Sequence, residues 1–187
     1  MLLVRDRQSK ALADRHFSCR TILCPDMAFC IGALQPSATA DVPVLAMLRE
    51  DKEKVASDGH AGLGVPVEDW ITEDRRLVRL AKLRGLAAGL PTLHRGCIRE
   101  RMYTAAARQR FYQRGVRQLS RGRAIVTDRL HVHIVSILLG KPHAVLDNSY
   151  SKIGRFRDAF PEPEALTHKA ASLDEAVDWA RVAAAGA

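Results

Sequence analysis

The chain has 187 residues, 47% hydrophobic and 27% charged, with 29 Lys and Arg against 21 Asp and Glu for a formal charge of +8. That length bounds it to one domain or a domain plus a piece, long enough to bury a sizeable core, and the composition is that of a soluble globular protein rather than a disordered or fibrous one. No apolar run approaches the ~20 residues that cross a bilayer. Charges follow Met1-Leu2-Leu3-Val4 at once, so neither a stable membrane span nor a signal-peptide apolar region is expected, and the cytoplasm is the expected compartment.

Along the chain, 2–4 reads as a short strand, 9–15 as a helix and 21–23 as a second short strand. Pro25-Asp26 and Gly32 mark loops, and Gln35-Pro36-Ser37 with Asp41 reads as a linker. The unbroken apolar run 44–48 predicts a buried strand. The polar, Gly-punctuated segment 55–64 predicts a loop. Pro66-Val67-Glu68-Asp69-Trp70 predicts a helix start, since Pro is tolerated in a first turn and acidic residues favour that end. Apolar residues at 77, 80, 83, 86 and 90 recur at helical period, so 75–90 is expected to be an amphipathic helix on that stripe, ended by Gly89-Leu90-Pro91. Residues 97–121 predict a long basic helix or helix pair, with Tyr103, Phe111 and Tyr112 as core contacts. Pro161 and Pro163 punctuate a loop. Ser172 with Glu175 three residues on is a capping-box pattern, opening a helix over 173–185 that buries Ala176, Val177 and Ala180.

Cysteines at 19, 24, 30 and 97 match no common zinc spacing, so free thiols and no metal site are expected. The excess positive charge has two readings. Arginines 99, 101, 108, 110, 114, 117, 121 and 123 could contact the phosphates of a nucleic acid. No recognition-helix signature accompanies them, which favours a solvated helical surface plus an electropositive crevice for anionic substrates at a negatively charged membrane face. No nucleic-acid partner is expected.

The most informative stretch is RAIVTDRLHVHIVSILLGKPHAVLDNSYSK, from Arg123 to Lys152. Ala124-Ile125-Val126 is an apolar run ending in Thr127-Asp128-Arg129. His131 and His133 follow, then an apolar segment closed by Gly140, and Pro142 restarts the chain into Ala144-Val145-Leu146 and Asp147-Asn148-Ser149. The pattern is strand, loop, helix, strand, the repeat of a parallel α/β sheet. Open α/β sheets bind ligands in the crevice outside the carboxyl ends of their strands. Asp128, Arg129, His131, Asn148 and Ser149 are therefore expected to share one crevice.

This stretch resembles the signature region of the polysaccharide pyruvyl transferases, whose hallmark is an Arg-Leu-His triplet, a helix and a Gly-x-Pro turn. Here the triplet is Arg129-Leu130-His131 and the turn Gly140-Lys141-Pro142. Val4-Arg5-Asp6 with Ser9 and Pro25-Asp26 resemble the end of that family's first domain. The run from Val44 to Asp51, with Glu53, resembles the opening strand of its second. Many members have Gly after the His; Val132 stands there here, and its β-branch restricts the turn. The resemblance implies a GT-B fold of two Rossmann-like halves facing a cleft. On that footing residues 1–40 are a remnant of the first half, 41–170 the second Rossmann-like domain and 171–187 a C-terminal helix packing back onto the first half. The first half would be truncated, leaving Val177 and Trp179 without a partner.

The resemblance also implies the chemistry: phosphoenolpyruvate and a sugar with two hydroxyls give a cyclic ketal and phosphate. No cofactor is needed beyond phosphoenolpyruvate as donor substrate. The acceptor would belong to a cell-surface polysaccharide or its lipid-linked precursor, which places the protein peripherally at the inner membrane face. Histidine titrates near neutrality and suits protonation of the donor methylene, whereas arginine's planar fork suits its carboxylate and phosphate. His131 is the expected acid, against a helix cap or satisfied core histidine. His133, two positions on, points elsewhere and is expected to be structural. His16, His60, His94 and His168 are expected at the surface. Arg129 either grips phosphate or braces the loop through Asp128 and a neighbouring carboxylate. Arg49 follows the strand 44–48 at the same edge; it grips the anion or pairs with Glu50, Asp51 or Glu53. Asn148, Ser149 and Lys152 bind phosphate or sugar, or the first two form an Asx-type turn; Tyr150 could stack on a sugar.

Two other functions fit less of the pattern. A GT-B glycosyltransferase using a nucleotide sugar would need an acidic residue for the ribose, for which Glu164 is the candidate. An inactive remnant serving as an interaction module would fit a truncated first half.

Overall fold

The computed structural model describes residues 1–49, 63–70, 73–147, 151–161 and 165–186. In chain order the elements are β1 (Leu2–Val4), α1 (Arg7–His16), β2 (Thr21–Leu23), β3 (Val42–Met47), β4 (Val67–Glu68), α2 (Arg75–Gly89), α3 (Arg95–Arg108), α4 (Arg117–Ser120), β5 (Gly122–Thr127), α5 (Leu130–Leu138), β6 (His143–Val145), α6 (Lys152–Ala159), β7 (Thr167–Lys169) and α7 (Leu173–Ala185). Two compact units divide them. One holds Met1–Gln35, Ala40–Trp70 and Gly122–Ala187; the other holds Pro36–Thr39 and Ile71–Arg121. Among the described residues no helix is long and apolar enough to cross a membrane.

The first unit is an α/β fold around a five-stranded parallel sheet in the order β4-β3-β5-β6-β7, with β1 and β2 pairing in parallel in a small sheet of their own. The expected strands near 44–48, 125–127 and 144–146 are β3, β5 and β6. They read as unbroken apolar runs because both faces are covered. Val44, Ala46, Ala124, Val126 and Ala144 meet Ala176, Val177, Ala180 and Ala184 of α7 on one face. Val145 packs with Leu130 and Ile134 of α5 and Ile153 and Phe156 of α6 on the other. The small residues of α7 let it lie close to the sheet.

The final helix thus has a partner within its own unit, contrary to the expectation that Val177 and Trp179 would lack one. Val177 is buried, and the Trp179 indole stacks on His168 with ring centroids 5.2 Å apart and planes 9° apart. The cap is as expected on one side only: Ser172 Oγ accepts from Glu175 N–H, but the Glu175 carboxylate turns to Ala171 N–H and His168.

Pro66–Trp70 does not open a helix. Ala46 N–H donates to Pro66 O and Leu48 N–H to Glu68 O, so the segment joins the sheet as the short edge strand β4. Leu63, Val65 and Val67 alternate in sequence and lay one face on the core under α7. The strand period of those three residues outweighs the helix-start signal of Pro and acid. Strand β7 was not expected; Thr-His-Lys carries no apolar run, and only pairing with β6 makes it a strand.

Gly140 ends α5 at φ +64, donating to Ile137 O while Lys141 N–H donates to Ser136 O. This is a Schellman turn, and it needs a residue that tolerates the left-handed region. The Gly-Lys-Pro sequence is a helix stop before β6. Lys141 is buried and its ammonium donates to Gly122 O at the start of β5. Burial pulls its pKa down.

The second unit is helical. α2 and α3 form an antiparallel hairpin joined by a 3-10 turn (Leu90–Thr92), and a π-helical segment (Gln109–Val116) leads to α4. The helix over 75–89 is present, but its stripe is inverted. Val78, Ala81, Gly85 and Gly89 are buried, while Leu77, Leu80, Leu83 and Leu90 are 49–58% exposed. The cause is backbone proximity: a Cβ on Gly85 would lie 2.6 Å from Arg101 O, and one on Gly89 2.7 Å from the Ile98 Cα. Small residues are what let two helices approach this closely, so they take the interface and the leucines turn outward. Tyr103 and Tyr112 are likewise exposed rather than core, at 61% and 43%; Phe111 is half-buried, its ring edge-on to Tyr112.

Candidate functional site

The sheet's strand order reverses between β3 and β5: the connection from β3 leads outward to β4, and those from β5 lead the other way to β6 and β7. Loops on either side of such a switch point diverge, leaving a crevice at the strands' carboxyl ends. A cavity of about 200 Å³ opens there, lined by Arg5, Arg49, Trp70, Arg129, Leu130, His131 and Lys152. Arg49, Arg129, His131 and Lys152 are thus brought together as expected. Asp128 stands beside the cavity. Asn148, Ser149 and Tyr150 lie outside the described residues, as do Glu50, Asp51, Glu53 and Glu164.

Thr127-Asp128-Arg129 ties three strand ends to one another. Thr127 Oγ1 donates to Met47 O across the β3–β5 pair at 2.8 Å and accepts from Arg129 N–H at 3.0 Å. Asp128 Oδ1 accepts from Arg49 N–H at 3.1 Å, fixing the backbone just past β3. The Arg129 guanidinium forms an ion pair with Asp69 just past β4, both side chains 10% exposed or less. Of the two roles weighed for Arg129, bracing is the one whose geometry is present. The partner is Asp69, which the expected helix start had hidden.

Burial drives the Asp128 pKa up to about 6, against the Arg49 N–H and the Arg129 charge, which pull it down. A carboxyl that titrates there can change charge within the working pH range.

His131 and His133 point in opposite directions, as residues 200° apart on a helix must. The His131 side chain is 58% exposed at the cavity, its Nε2 3.8 Å from Asp26 Oδ2. His133 is fully buried, its Nδ1 2.8 Å from His143 Nε2. Burial and the neighbouring His133 push the His143 pKa down to about 3. Position 132 lies inside α5, so Val132 needs no turn conformation; it is wholly buried.

Arg5, Asp26, Asp69 and Trp70 are the site residues that sequence reasoning missed. Arg5 follows β1 directly and pairs with Asp26, which also caps the 3-10 turn Met27–Ile31 by accepting from Ala28 N–H. Phe29 of that turn stacks on Phe156 of α6, centroids 5.9 Å apart, and so holds Asp26 beside His131. Burial opposes ionisation of Asp26, but Ala28 N–H, Arg5 and His131 outweigh it and keep its carboxyl below the usual range. One signal could have found Arg5: like Arg49 and Arg129, it is a cation placed just after an apolar strand run.

The described cavity lining holds three arginines, a lysine and a histidine, and none of its described residues is acidic. Such a lining suits a small, multiply charged anion, with guanidinium forks for carboxylate or phosphate and one exposed imidazole for proton transfer. Among the described residues no cluster of His, Cys, Asp and Glu could hold a metal ion.

Comparison with known proteins places this arrangement in a family. Residues 1–150 match the family model described as polysaccharide pyruvyl transferase. "Pyruvyl transferase 1" of Schizosaccharomyces pombe is 30% identical over 163 residues, covering 79% of this chain and 36% of that protein. "Putative pyruvyl transferase EpsO" of Bacillus subtilis is 32% identical over 160 residues, covering 81% of this chain and 47% of that protein. The chain therefore spans between about a third and a half of the length of the curated relatives it matches. With the Arg129-Leu130-His131 triplet at the mouth of a cationic cavity and a family match over 150 residues, the chain belongs to the polysaccharide pyruvyl transferase family.

Proposed function

We propose that the sheet unit carries the donor site of a ketal pyruvyl transferase, which moves pyruvate from phosphoenolpyruvate to a sugar of a cell-surface polysaccharide or its lipid-linked precursor. The observation that carries this reading is the cavity at the β3–β5 switch point, where Arg5, Arg49, Arg129, Lys152 and His131 converge. The donor brings a carboxylate and a phosphate that need cations on two sides, and a methylene carbon that needs a proton. His131, exposed beside Asp26, gives that proton. Protonation turns the CH2 into CH3 and leaves an oxocarbenium-like centre at the adjacent carbon, which one sugar hydroxyl attacks with loss of its proton. Cleavage of the C–O bond to phosphate regenerates the cationic centre. The second hydroxyl then closes the ketal, its proton leaving with the phosphate. Arg49 and Lys152 stabilise the departing charge, while Arg129, held by Asp69, keeps the strand ends in place.

On this reading residues 41–170 are the second half of a GT-B cleft, with the sheet as its core and the helical unit falling between β4 and β5 in sequence, the helix over 171–187 follows it, and residues 1–40 belong to the first half. The three arginines and the lysine of the described lining suit the paired carboxylate and phosphate of a compact donor of this kind.

The test is incubation of the full-length protein with phosphoenolpyruvate and a lipid-linked oligosaccharide acceptor. Acceptor-dependent phosphate release, with a product that acid reverts to pyruvate, is expected. Phosphate release without acceptor, or turnover of a nucleotide sugar instead, would overturn the reading.

A further inference from the structure

We infer that the helical unit is a docking surface for an anionic lipid bilayer. Charge is the first observation. Ile71–Arg121 holds thirteen Arg or Lys and three Asp or Glu, a formal charge of +10, more than the +8 of the whole chain. Arg75, Arg76, Arg79 and Arg84 of α2 are all exposed. So large a field of one sign attracts a surface of the opposite charge.

Apolar surface is the second observation. Of fourteen large hydrophobic residues exposed among those described, seven lie in this unit. Three of them, Leu77, Leu80 and Leu83, lie on the side of α2 away from α3, because Val78, Ala81, Gly85 and Gly89 occupy the packed side. The same side of α2 carries Arg76 and Arg79, so cations and leucines are interleaved. Long basic side chains beside leucines can lay their stems along an apolar layer and keep their charges at the headgroups.

The hairpin tip is the third. Leu93 is 90% exposed and sits at φ 52, a left-handed conformation that a bulky side chain adopts only under constraint. Leu90 beside it is 53% exposed, and the Thr92 hydroxyl fastens the turn by donating to Gly89 O at 2.7 Å. A fixed turn thus presents two leucines to the outside, followed at once by exposed Arg95. Phosphate groups alone, as on a nucleic acid, would account for the arginines and leave these leucines without purpose. An anionic bilayer takes both, through lipid phosphates and the acyl boundary. This surface lies outside the cavity unit, and its test needs no turnover.

The experiment is co-sedimentation of the full chain with vesicles of phosphatidylcholine alone or mixed with phosphatidylglycerol. Binding to the mixed vesicles only, weakened by salt, is the expected result. A Leu80→Gln/Leu83→Gln/Leu93→Gln variant, which keeps every charge, is expected to bind at least about tenfold less. An Arg76→Gln/Arg79→Gln/Arg84→Gln variant should lose about fivefold per cation removed. These positions are at or near the surface, and far-ultraviolet circular dichroism checks that each variant still folds. Four outcomes would overturn the proposal: equal binding to neutral vesicles, indifference to the leucine changes, duplex DNA binding that mixed vesicles do not displace, or a dimer that the leucine changes convert to a monomer without vesicle binding.

Discussion

The two units use the same residue types in opposite ways. The sheet unit holds sixteen Arg or Lys and eighteen Asp or Glu, a formal charge of −2, yet four of its cations converge on one cavity. There Arg129 is buried against Asp69 and Arg5 is paired with Asp26, so these charges act as fixed geometry. In the helical unit the cations lie mainly on the exterior, and pairing such as Arg110 with Glu73 is an exposed contact. Exposed pairs of this kind contribute little individually because solvent screens them; their collective field matters more. Net charge, taken over the whole chain, conceals both facts. On the readings proposed above, the first unit would act through placement within ångströms, and the second through area and sign.

That contrast predicts where mutation hurts. If the proposed transfer holds, His131→Ala should lower turnover about 10²–10⁴-fold, the usual loss of a general acid, while binding of the proposed donor, phosphoenolpyruvate, partly survives. Arg49→Ala should weaken donor binding first. Leu83→Gln, in the other unit, should leave turnover on a soluble acceptor unchanged. Steady-state kinetics on the three variants would break the comparison if His131→Ala worked normally or Leu83→Gln did not.

Stability should divide along the same line. Leu45 is wholly buried in β3, so Leu45→Ala should cost about 2–5 kcal/mol in urea unfolding. Leu83→Ala removes the same atoms from a side chain 58% exposed and should stay within about 0.5 kcal/mol. Equal losses would mean that the leucine stripe of α2 is covered in solution.

A smaller effect probes the hairpin. Gly85→Val would drive a branched side chain into the Arg101 carbonyl, and overpacking of this kind costs about 1–3 kcal/mol. Hydrogen exchange should speed up across α2 and α3 and stay unchanged in β3, β5 and β6. Acceleration throughout would show that the two units unfold as one.

These residues also mark how far the sequence could be read. The strands β3, β5 and β6 were legible because both faces are buried and period plays no part, and α7 because its cap and small residues agree. His131 and Arg129 were legible through their triplet. The inverted stripe of α2 was not: Leu77, Leu80, Leu83, Leu86 and Leu90 satisfy helical period as well as Val78, Ala81, Gly85 and Gly89 do. Only the approach of α3 decides which set is buried. Asp69 was hidden because its partner, Arg129, lies sixty positions away, and β7 because a polar tripeptide becomes a strand only beside β6. Local signals carry elements; pairing across the chain carries the rest of the site.

The last prediction concerns pH. Two buried groups in the sheet unit titrate against each other. His143 has its folded pKa lowered to about 3 by burial and by His133. Its contribution is present above the ordinary value of 6.5 and is lost as pH falls towards 3. Asp128 has its folded pKa raised from 3.8 to about 6, chiefly by burial. Its contribution is present below 3.8 and is lost as pH rises through about 6, by at most about 3 kcal/mol. On acidification from 6.5 to 4 the histidine term falls while the carboxyl term grows, so the wild-type loss should be shallow. Asp128→Asn keeps an oxygen for Arg49 N–H and removes the titration. The variant should therefore be more stable than wild type near neutrality and lose stability more steeply as the pH drops. Thermal unfolding midpoints of both proteins across that range are the measurement. Parallel curves would mean that Asp128 stays ionised throughout, and that the brace across the strand ends carries a full negative charge.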